Sequence, residues 1–220
     1  NVLITLMLSY LLSSWENLMN GAESLVKTLV KSGVEVCFTN PGTSEMHFVA
    51  ALDHVEGMRC VLGLFEGVVT GMADGYGRMA DKPSSTLLHL GPGLGNGLAN
   101  LHNAKKAHTP IVNIVGDHAT YHVEYDAPLT ADIEGIAKPV SSWVKTSKSS
   151  KDIARDGAEA VMAARSGPGQ IATLILPANT AWDEANSAAN PLDVPPQSKI
   201  SSETITGIAK ALCEDGETLI

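Results

Sequence analysis

The chain of 220 residues is poor in cysteine, in aromatic residues and in positive charge. Its three cysteines, Cys37, Cys60 and Cys213, are odd in number and widely spaced, which argues against a disulfide or zinc framework. We expect them to be small buried hydrophobic side chains of a protein in a reducing compartment, the cytoplasm. A net charge of −9 without a lysine or arginine cluster argues against nucleic acid as a partner.

Long hydrophobic runs are also missing, although hydrophobic residues make up 44% of the chain. Residues 2–12 are apolar, but this run is too short to cross a membrane and lacks the features of a signal peptide. We therefore expect no membrane association. We interpret residues 1–18 as an extra N-terminal segment, either non-native or a genuine additional helix. With 18% charged residues, the composition as a whole is typical of a globular protein.

Short apolar runs alternate with helical patterns from residue 20 onwards. Because the runs are continuously apolar, they predict strands of a parallel sheet that is covered on both faces. We predict an α/β fold, with a doubly wound, mainly parallel sheet of about six strands and helices on both faces. The predicted strands are 34–39, 60–64, 86–90, 110–115, 141–145 and 171–176, and the predicted helices are 20–33, 44–54, 66–79, 93–106, 153–164 and 201–212.

A change in composition after Pro177 indicates a domain boundary. We expect residues 19–185 to form one domain and the proline-, asparagine- and serine-rich residues 186–200 to form a linker. Residues 201–220 contain a helical pattern followed by the beginning of an apolar strand. We interpret them as the truncated start of a second, central domain.

Sheets of this kind bind ligands beyond the carboxyl ends of their strands, where Glu66 and several polar residues fall. A helix often begins with an acidic residue because the helix dipole favours it, and this alone would explain Glu66. Its position after a buried strand also makes it a candidate for proton exchange. His89, His118 and His122 fall in the same predicted crevice, but their spacing gives little support for a metal site.

The glycine-rich run from Gly91 to Gly97 lies between a predicted strand and a predicted helix. It matches neither the dinucleotide fingerprint nor the P-loop. A tight turn that allows close helix packing explains it as well as a loop that allows a ligand to approach the backbone. The sequence leaves both interpretations open.

Three segments together resemble the pyrimidine-binding domain of thiamine-diphosphate enzymes, in the group of acetolactate synthases and benzoylformate decarboxylases. They are N-P-G-T-S-E at 40–45, F-E-G-V-V-T-G-M-A-D-G-Y-G-R at 65–78 and L-H-L-G-P-G-L-G-N-G-L-A-N at 88–100. The later run G-P-G-Q-I-A-T-L-I-L-P at 167–177 is similar to the closing strand of that domain. The segment at 65–78 is the most specific part of the resemblance.

The resemblance implies that Glu66 activates the cofactor thiamine diphosphate. The glutamate of the family hydrogen-bonds a ring nitrogen of the aminopyrimidine and favours the imino tautomer, which removes the thiazolium C2 proton before attack on a 2-oxo acid. The implied site has three groups of residues. Asn40, Pro41, Gly42, Glu66 and Asn96 are the cofactor-binding candidates, Thr43, His89 and His118 the substrate candidates, and Glu66 and His89 the catalytic candidates.

The sequence also departs from the family in two respects. Acetolactate synthases have a Gly-Gln pair and a Phe-Gln-Glu segment where this chain has Gly116-Asp117-His118 and A-P-L-T at 127–130, which puts acetolactate formation in doubt. The Gly-Asp-Gly…Asn motif that holds the diphosphate through Mg²⁺ in another domain of the family is absent, so we expect the chain alone to be inactive.

The resemblance further implies a homodimer or homotetramer in the full-length enzyme. Two alternatives to an enzyme fragment remain open at this point. One is a natural split subunit of a 2-oxo acid decarboxylase that consists of the pyrimidine-binding domain. The other is a non-catalytic, flavodoxin-like binding domain in which Glu66 is a helix-start acid.

Overall fold

The computed structural model describes residues 19–214 and residue 216. The extra segment 1–18 and the strand expected from residue 217 lie outside the described residues. The helices are α1 (Gly21–Lys31), α2 (Met46–His54), α3 (Glu66–Ala80), α4 (Leu90–Lys106), α5 (Ile133–Ala137), α6 (Ile153–Arg165), α7 (Ala178–Trp182) and α8 (Ser202–Cys213). The strands are β1 (Val36–Asn40), β2 (Arg59–Leu62), β3 (Ser84–Leu88), β4 (Ile111–Asp117), β5 (Trp143–Thr146) and β6 (Ile171–Pro177).

Within the described residues, six parallel strands form one sheet in the order β2-β1-β3-β4-β6-β5. Asn40 pairs with Leu88, and Leu88 pairs with Val115, so the carboxyl ends of β1, β3 and β4 lie side by side. The chain runs outward from β1 to β2 and then returns to β3 on the other side of β1. This reversal is the topological switch point of a doubly wound sheet, and the predicted fold class is confirmed.

Two hydrophobic clusters bury the helices against the sheet. The first cluster contains side chains of α1, α2 and α6, including the fully buried Leu25, Phe48 and Ile153. The second contains side chains of α3, α4 and α5, including the fully buried Val69 and Leu94. Because each large apolar side chain removed from water contributes about 1.5–3 kcal/mol, both helical layers are held firmly on the strands.

Strand β2 differs from the prediction, because it is an edge strand with exposed or half-exposed residues. An edge strand has a paired neighbour on one side only, which leaves it open to solvent. The expectation of buried cysteines is correct for Cys37 and wrong for Cys60, which lies on this strand, and for Cys213 on α8. Burial raises the pKa of the Cys37 thiol to about 12, so this cysteine is a packing residue.

The glycine-rich run is the first part of helix α4 and not a turn before it. The helix begins at Leu90, and the Gly93 N–H donates to the carbonyl oxygen of His89 at 2.8 Å. Gly97 allows close packing with α3, since a Cβ atom there would lie 2.8 Å from Cγ2 of Thr70. The Thr70 hydroxyl also donates to the Gly97 carbonyl at 3.0 Å. Close packing of α4 on α3 is therefore one role of this run.

The segment from residue 185 to residue 201 has neither helix nor strand. Helix α8, which follows it, has no buried residue. Across residues 19–214, no helix combines the length and the apolar character needed to cross a membrane.

Candidate active site at the carboxyl edge of the sheet

The candidate site lies where β1 and β3 end, at the switch point of the sheet. Asn40, the last residue of β1, donates from Nδ2 to the carbonyl oxygen of Gly63 at 2.8 Å. This hydrogen bond ties the segment after β1 to the connection between β2 and α3. It therefore positions the start of α3, where Glu66 is the first helical residue.

Glu66 is half-buried, and its two carboxylate oxygens have different surroundings. Asn96 on α4 donates from Nδ2 to Oε2 at 3.0 Å. Oε1 receives no hydrogen bond from the described residues, and a Cβ atom on Gly93 would lie 3.4 Å from it. The same Cβ atom would lie 3.4 Å from Cβ of His89, so Glu66 and His89 flank Gly93. The structure thus brings three of the predicted residues, Glu66, Asn96 and His89, to one place.

The surface beside Glu66 is apolar and open. The exposed hydrophobic side chains near it come from β2, from the connection to α3 and from the first turn of α3; they are Leu62, Leu64, Phe65 and Val68. Leu64 is 89% exposed, which is unusual for a leucine beside a polar site. An open apolar surface beside a carboxylate can accept a flat ring that carries a polar edge.

Glu45, at the end of the 3₁₀ helix Thr43–Glu45, is a buried carboxyl group next to His89. Its Oε2 accepts a hydrogen bond from the Gly42 N–H at 2.7 Å and lies 2.8 Å from Nδ1 of His89. Burial raises the pKa of Glu45, although the Gly42 N–H and His89 act in the opposite direction. Its Oε1 is buried and has no hydrogen-bond partner among the described residues.

Two glycines provide the space for the Glu45–His89 pair. A Cβ atom on Gly42 would collide with the His89 ring, and a Cβ atom on Gly116 would collide with Oε1 of Glu45. Gly116 belongs to β4 and pairs with Leu176 of β6, so its backbone cannot move away. The sheet therefore fixes the position of the Glu45 side chain through the backbone of Gly116.

Thr43 and His118, two predicted substrate residues, line a common cavity of about 280 Å³. The other lining residues are Ser44, Ala119, Tyr121, His122, Ala178 and Trp182, and His89 is not among them. Nε2 of His118 is buried and has no hydrogen-bond partner in the described part of the chain. Burial also raises the pKa of the neighbouring Asp117, although its Oδ1 accepts a hydrogen bond from the His118 N–H at 2.7 Å.

The sequence prediction missed Glu45 and Gly116 as parts of this site. The signal was present, because Glu45 closes the N-P-G-T-S-E segment and Gly116 follows the apolar run of β4. Neither residue lies near His89 in the sequence, and only the parallel register of β1, β3 and β4 brings them together.

Comparison with known proteins identifies related domains. Residues 19–137 match the family model described as "Thiamine pyrophosphate enzyme, N-terminal TPP binding domain". The chain is 59% identical over 187 residues to a Mycobacterium tuberculosis protein named "Putative acetolactate synthase large subunit IlvX", covering 81% of this chain and 36% of that protein. It is 33% identical over 150 residues to benzoylformate decarboxylase of Pseudomonas aeruginosa, covering 68% of this chain and 28% of that enzyme.

A similar domain has also been solved. The thiamine diphosphate-dependent 4-hydroxybenzoylformate decarboxylase of Rhodococcus jostii RHA1 superposes with a TM-score of 0.78 at 25% sequence identity, over 88% of this chain and 37% of that enzyme. The chain thus spans about a third of the length of the relatives that it matches. These similarities leave the flavodoxin-like alternative without support.

Proposed function

The chain belongs to the thiamine pyrophosphate enzyme family as its N-terminal TPP-binding domain, and from this premise we propose that Glu66 activates the cofactor in an enzyme acting on 2-oxo acids. Thiamine pyrophosphate, also called thiamine diphosphate, is the cofactor that the family uses. The observation that carries the proposal is the Glu66 carboxylate, which has one oxygen held by Asn96 and the other without a hydrogen bond from the described residues.

The residues present fit the aminopyrimidine part of the cofactor. That ring is flat, has apolar faces and carries ring nitrogens at its edge. The exposed side chains of Leu64 and Phe65 offer an apolar surface, and Oε1 of Glu66 offers an acceptor for a protonated ring nitrogen. Gly93 keeps the space in front of this oxygen open, because a side chain there would approach Oε1.

Glu66 can share a proton with a ring nitrogen at its Oε1, and Asn96 keeps the carboxylate in one orientation while it does so. Proton transfer by a positioned side chain accelerates reactions by about 10²–10⁴-fold. When bound, the cofactor itself supplies the electron sink for loss of CO₂ from a 2-oxo acid. We assign Asn40, Pro41 and Gly42 to the backbone wall of the cofactor pocket.

Substrate contacts are proposed for three residues at the same edge of the sheet. Thr43 and His118 line the 280 Å³ cavity, and side chains of these two types can hydrogen-bond a carboxylate or carbonyl oxygen. His89 is proposed to act nearer to the cofactor, because it flanks Gly93 together with Glu66.

We further propose that the diphosphate and its Mg²⁺ bind on another domain of the full-length enzyme. The chain spans 36% and 28% of two relatives, which leaves room for such a domain. The segment 186–200 is then a linker, and α8 begins a second domain, in agreement with its lack of buried residues. A separate subunit that carries the second domain is the alternative, and the gene sequence downstream of residue 220 decides between them.

A homodimer or homotetramer is proposed for the full-length enzyme. The exposed Leu62, Leu64, Phe65 and Val68 form an apolar surface beside Glu66, and a second copy of the chain would bury it. Sedimentation equilibrium of the full-length enzyme tests this proposal, and a monomer at catalytic concentrations would contradict it.

The Glu66→Gln variant of the full-length enzyme tests the proposed function. We expect it to lose hydrogen–deuterium exchange at C2 of bound thiamine diphosphate by about 10²-fold or more, because the amide cannot take up the shared proton. Asp74→Asn on the same helix is the matched control and should leave exchange unchanged. Exchange at the wild-type rate in the Glu66 variant, with the cofactor bound, would contradict the role of Glu66.

A further inference from the structure

The pair of Glu45 and His89 has no role in cofactor activation as proposed above, although it occupies the centre of the site. Glu45 is fully buried, while the His89 side chain is 24% exposed. Nε2 of His89 receives no hydrogen bond from the described residues and keeps contact with solvent. One ring nitrogen therefore faces the protein, and the other is open to the crevice beyond the strand ends.

We propose that Glu45 is a positioning residue that holds His89 in one orientation and one tautomer, with the proton on Nδ1 and with Nε2 free as an acceptor. The contact of 2.8 Å between Nδ1 and Oε2 is short enough for a strong hydrogen bond. What Nε2 then does for the reaction rests on the proposed function; the tautomer itself does not.

The direction of this hydrogen bond follows from the other partner of Oε2. The Gly42 N–H already donates to the same oxygen at 2.7 Å, so Oε2 accepts two hydrogen bonds if Nδ1 also carries a proton. If Oε2 carried the proton instead, it would be a poor acceptor for the Gly42 N–H. The geometry therefore places the donor on His89 and the acceptor on Glu45.

The second oxygen of Glu45 shows that Nδ1 of His89 is the donor in both protonation states of Glu45. Oε1 is buried against Gly116 and has no partner among the described residues. A proton taken up by Glu45 would reside on Oε1, because Oε2 is occupied by two donors. Nδ1 of His89 thus remains the donor whether Glu45 is charged or neutral, in agreement with the raised pKa of Glu45.

A histidine fixed in this way has a defined task at the site. A free Nε2 can remove a proton from a group in the crevice, and after protonation the imidazolium can hold a substrate carboxylate. If the ring could rotate freely, Nδ1 and Nε2 would exchange places, and the nitrogen that faces the crevice would no longer be a defined acceptor. Gly42 and Gly116 are needed because they leave space for the ring and for Oε1.

Long-range ¹H–¹⁵N correlation spectra of the 220-residue chain, labelled with ¹⁵N in histidine, test the proposal without cofactor. His89→Gln assigns the signals of His89. At alkaline pH, where the ring is neutral, the wild type should show the Nδ1–H pattern. Glu45→Leu should convert His89 to the Nε2–H pattern, whereas Glu45→Gln, which keeps a side-chain oxygen acceptor, should restore the Nδ1–H pattern. The other histidines serve as internal controls.

Gly116→Ala should also convert His89 to the Nε2–H pattern. Its methyl group displaces Oε1 of Glu45, while Glu45 and His89 both remain in the sequence. An Nε2–H pattern for His89 in the wild type would overturn the proposal even if the Glu45 and Gly116 variants failed to fold. An unchanged Nδ1–H pattern in a folded Glu45→Leu chain would overturn it as well. Since C2 exchange tests Glu66 separately, each proposal can fail without the other.

Discussion

The two edges of the sheet differ in how completely the titratable side chains buried there are hydrogen-bonded. The amino-terminal edge has a cavity of about 490 Å³, lined by residues that precede the strands, among them Arg78, His108 and Arg165. The carboxyl edge has one cavity of about 480 Å³, lined in part by Thr120 and Thr146, and one of about 280 Å³, lined by Thr43 and His118. Cavity size alone therefore does not distinguish the two edges.

The hydrogen bonding of buried titratable side chains does distinguish the two edges. At the amino-terminal edge, Asp74 accepts two hydrogen bonds from Arg78, at 2.8 and 2.7 Å, and one from the Thr109 hydroxyl at 2.6 Å. At the carboxyl edge, Oε1 of Glu45 and Nε2 of His118 are buried without a partner in the described residues. Unsatisfied buried groups cost free energy, and a fold keeps them where chemistry needs them. The comparison teaches that unsatisfied buried titratable groups locate this site better than volume does.

The two edges should differ most in the free energy of unfolding that is lost when a glycine at each edge is replaced by alanine. Gly169, at the amino-terminal edge, has a φ of +112°, and a Cβ atom there would collide with the backbone carbonyl of His108. Gly169→Ala should lower the free energy of unfolding by about 2 kcal/mol or more.

Gly42→Ala is the matched change at the carboxyl edge. Gly42 has ordinary extended backbone angles, and the new methyl group meets the ring of His89, which can rotate away. We expect a loss of stability below about 1 kcal/mol, together with loss of the Nδ1–H pattern of His89. Urea unfolding of both variants measures the two losses of stability. Equal losses would contradict the expected difference between the edges.

Asp74→Asn should have a smaller effect on stability than Gly169→Ala, because it only weakens a network of satisfied hydrogen bonds. Burial alone would raise the pKa of Asp74, but the hydrogen bonds from Arg78 and Thr109 hold it below its usual value. The lowered pKa stabilises the fold above the ordinary aspartate pKa, and this contribution is lost as the pH falls. The variant should be less stable by about 1 kcal/mol at pH 7 and should approach the wild type in acid. A difference that persists in acid would exclude the charge as its cause.

The smallest effect on stability is expected for Glu45→Gln. Its stability relative to the wild type should change with pH in the direction opposite to that of Asp74→Asn. Because the pKa of Glu45 is raised in the folded state, the wild type loses stability as the pH rises from the ordinary glutamate pKa through the raised one. The Gln variant lacks this loss, so its stability relative to the wild type should increase with pH. Urea unfolding at several pH values measures the sign, and a relative decrease would contradict it.

Much of the fold could be predicted from the sequence, because local patterns carry it. The apolar runs predicted the strands of the central sheet. Asn20 caps α1, with its side chain accepting from the Glu23 N–H at 2.9 Å. The short helices α5 and α7, with five residues each, escaped prediction because so few residues give no clear periodicity. The edge position of β2 depends on strand order, which the sequence does not encode locally.

The candidate site was predictable to the extent that a family motif covers it. Glu66, Asn96 and His89 belong to segments that resemble the family, and the structure brings them around Gly93. The contact of Glu45 with His89 joins residues 44 positions apart, and the role of Gly116 depends on pairing between strands. Contacts of this kind arise from tertiary structure and leave no periodic signal in the sequence.

The glycines of helix α4 have a consequence for the order in which the site forms. Gly91, Pro92, Gly93, Gly95 and Gly97 give this half of the helix very low intrinsic helicity, since each glycine costs about 1 kcal/mol relative to alanine. The segment is helical because it packs on α3 and the sheet, so we expect it to form after them during folding and its amide hydrogens to exchange early in the native state. Asn96 therefore reaches Glu66 last, and thermal fluctuations separate the two before they disturb the core.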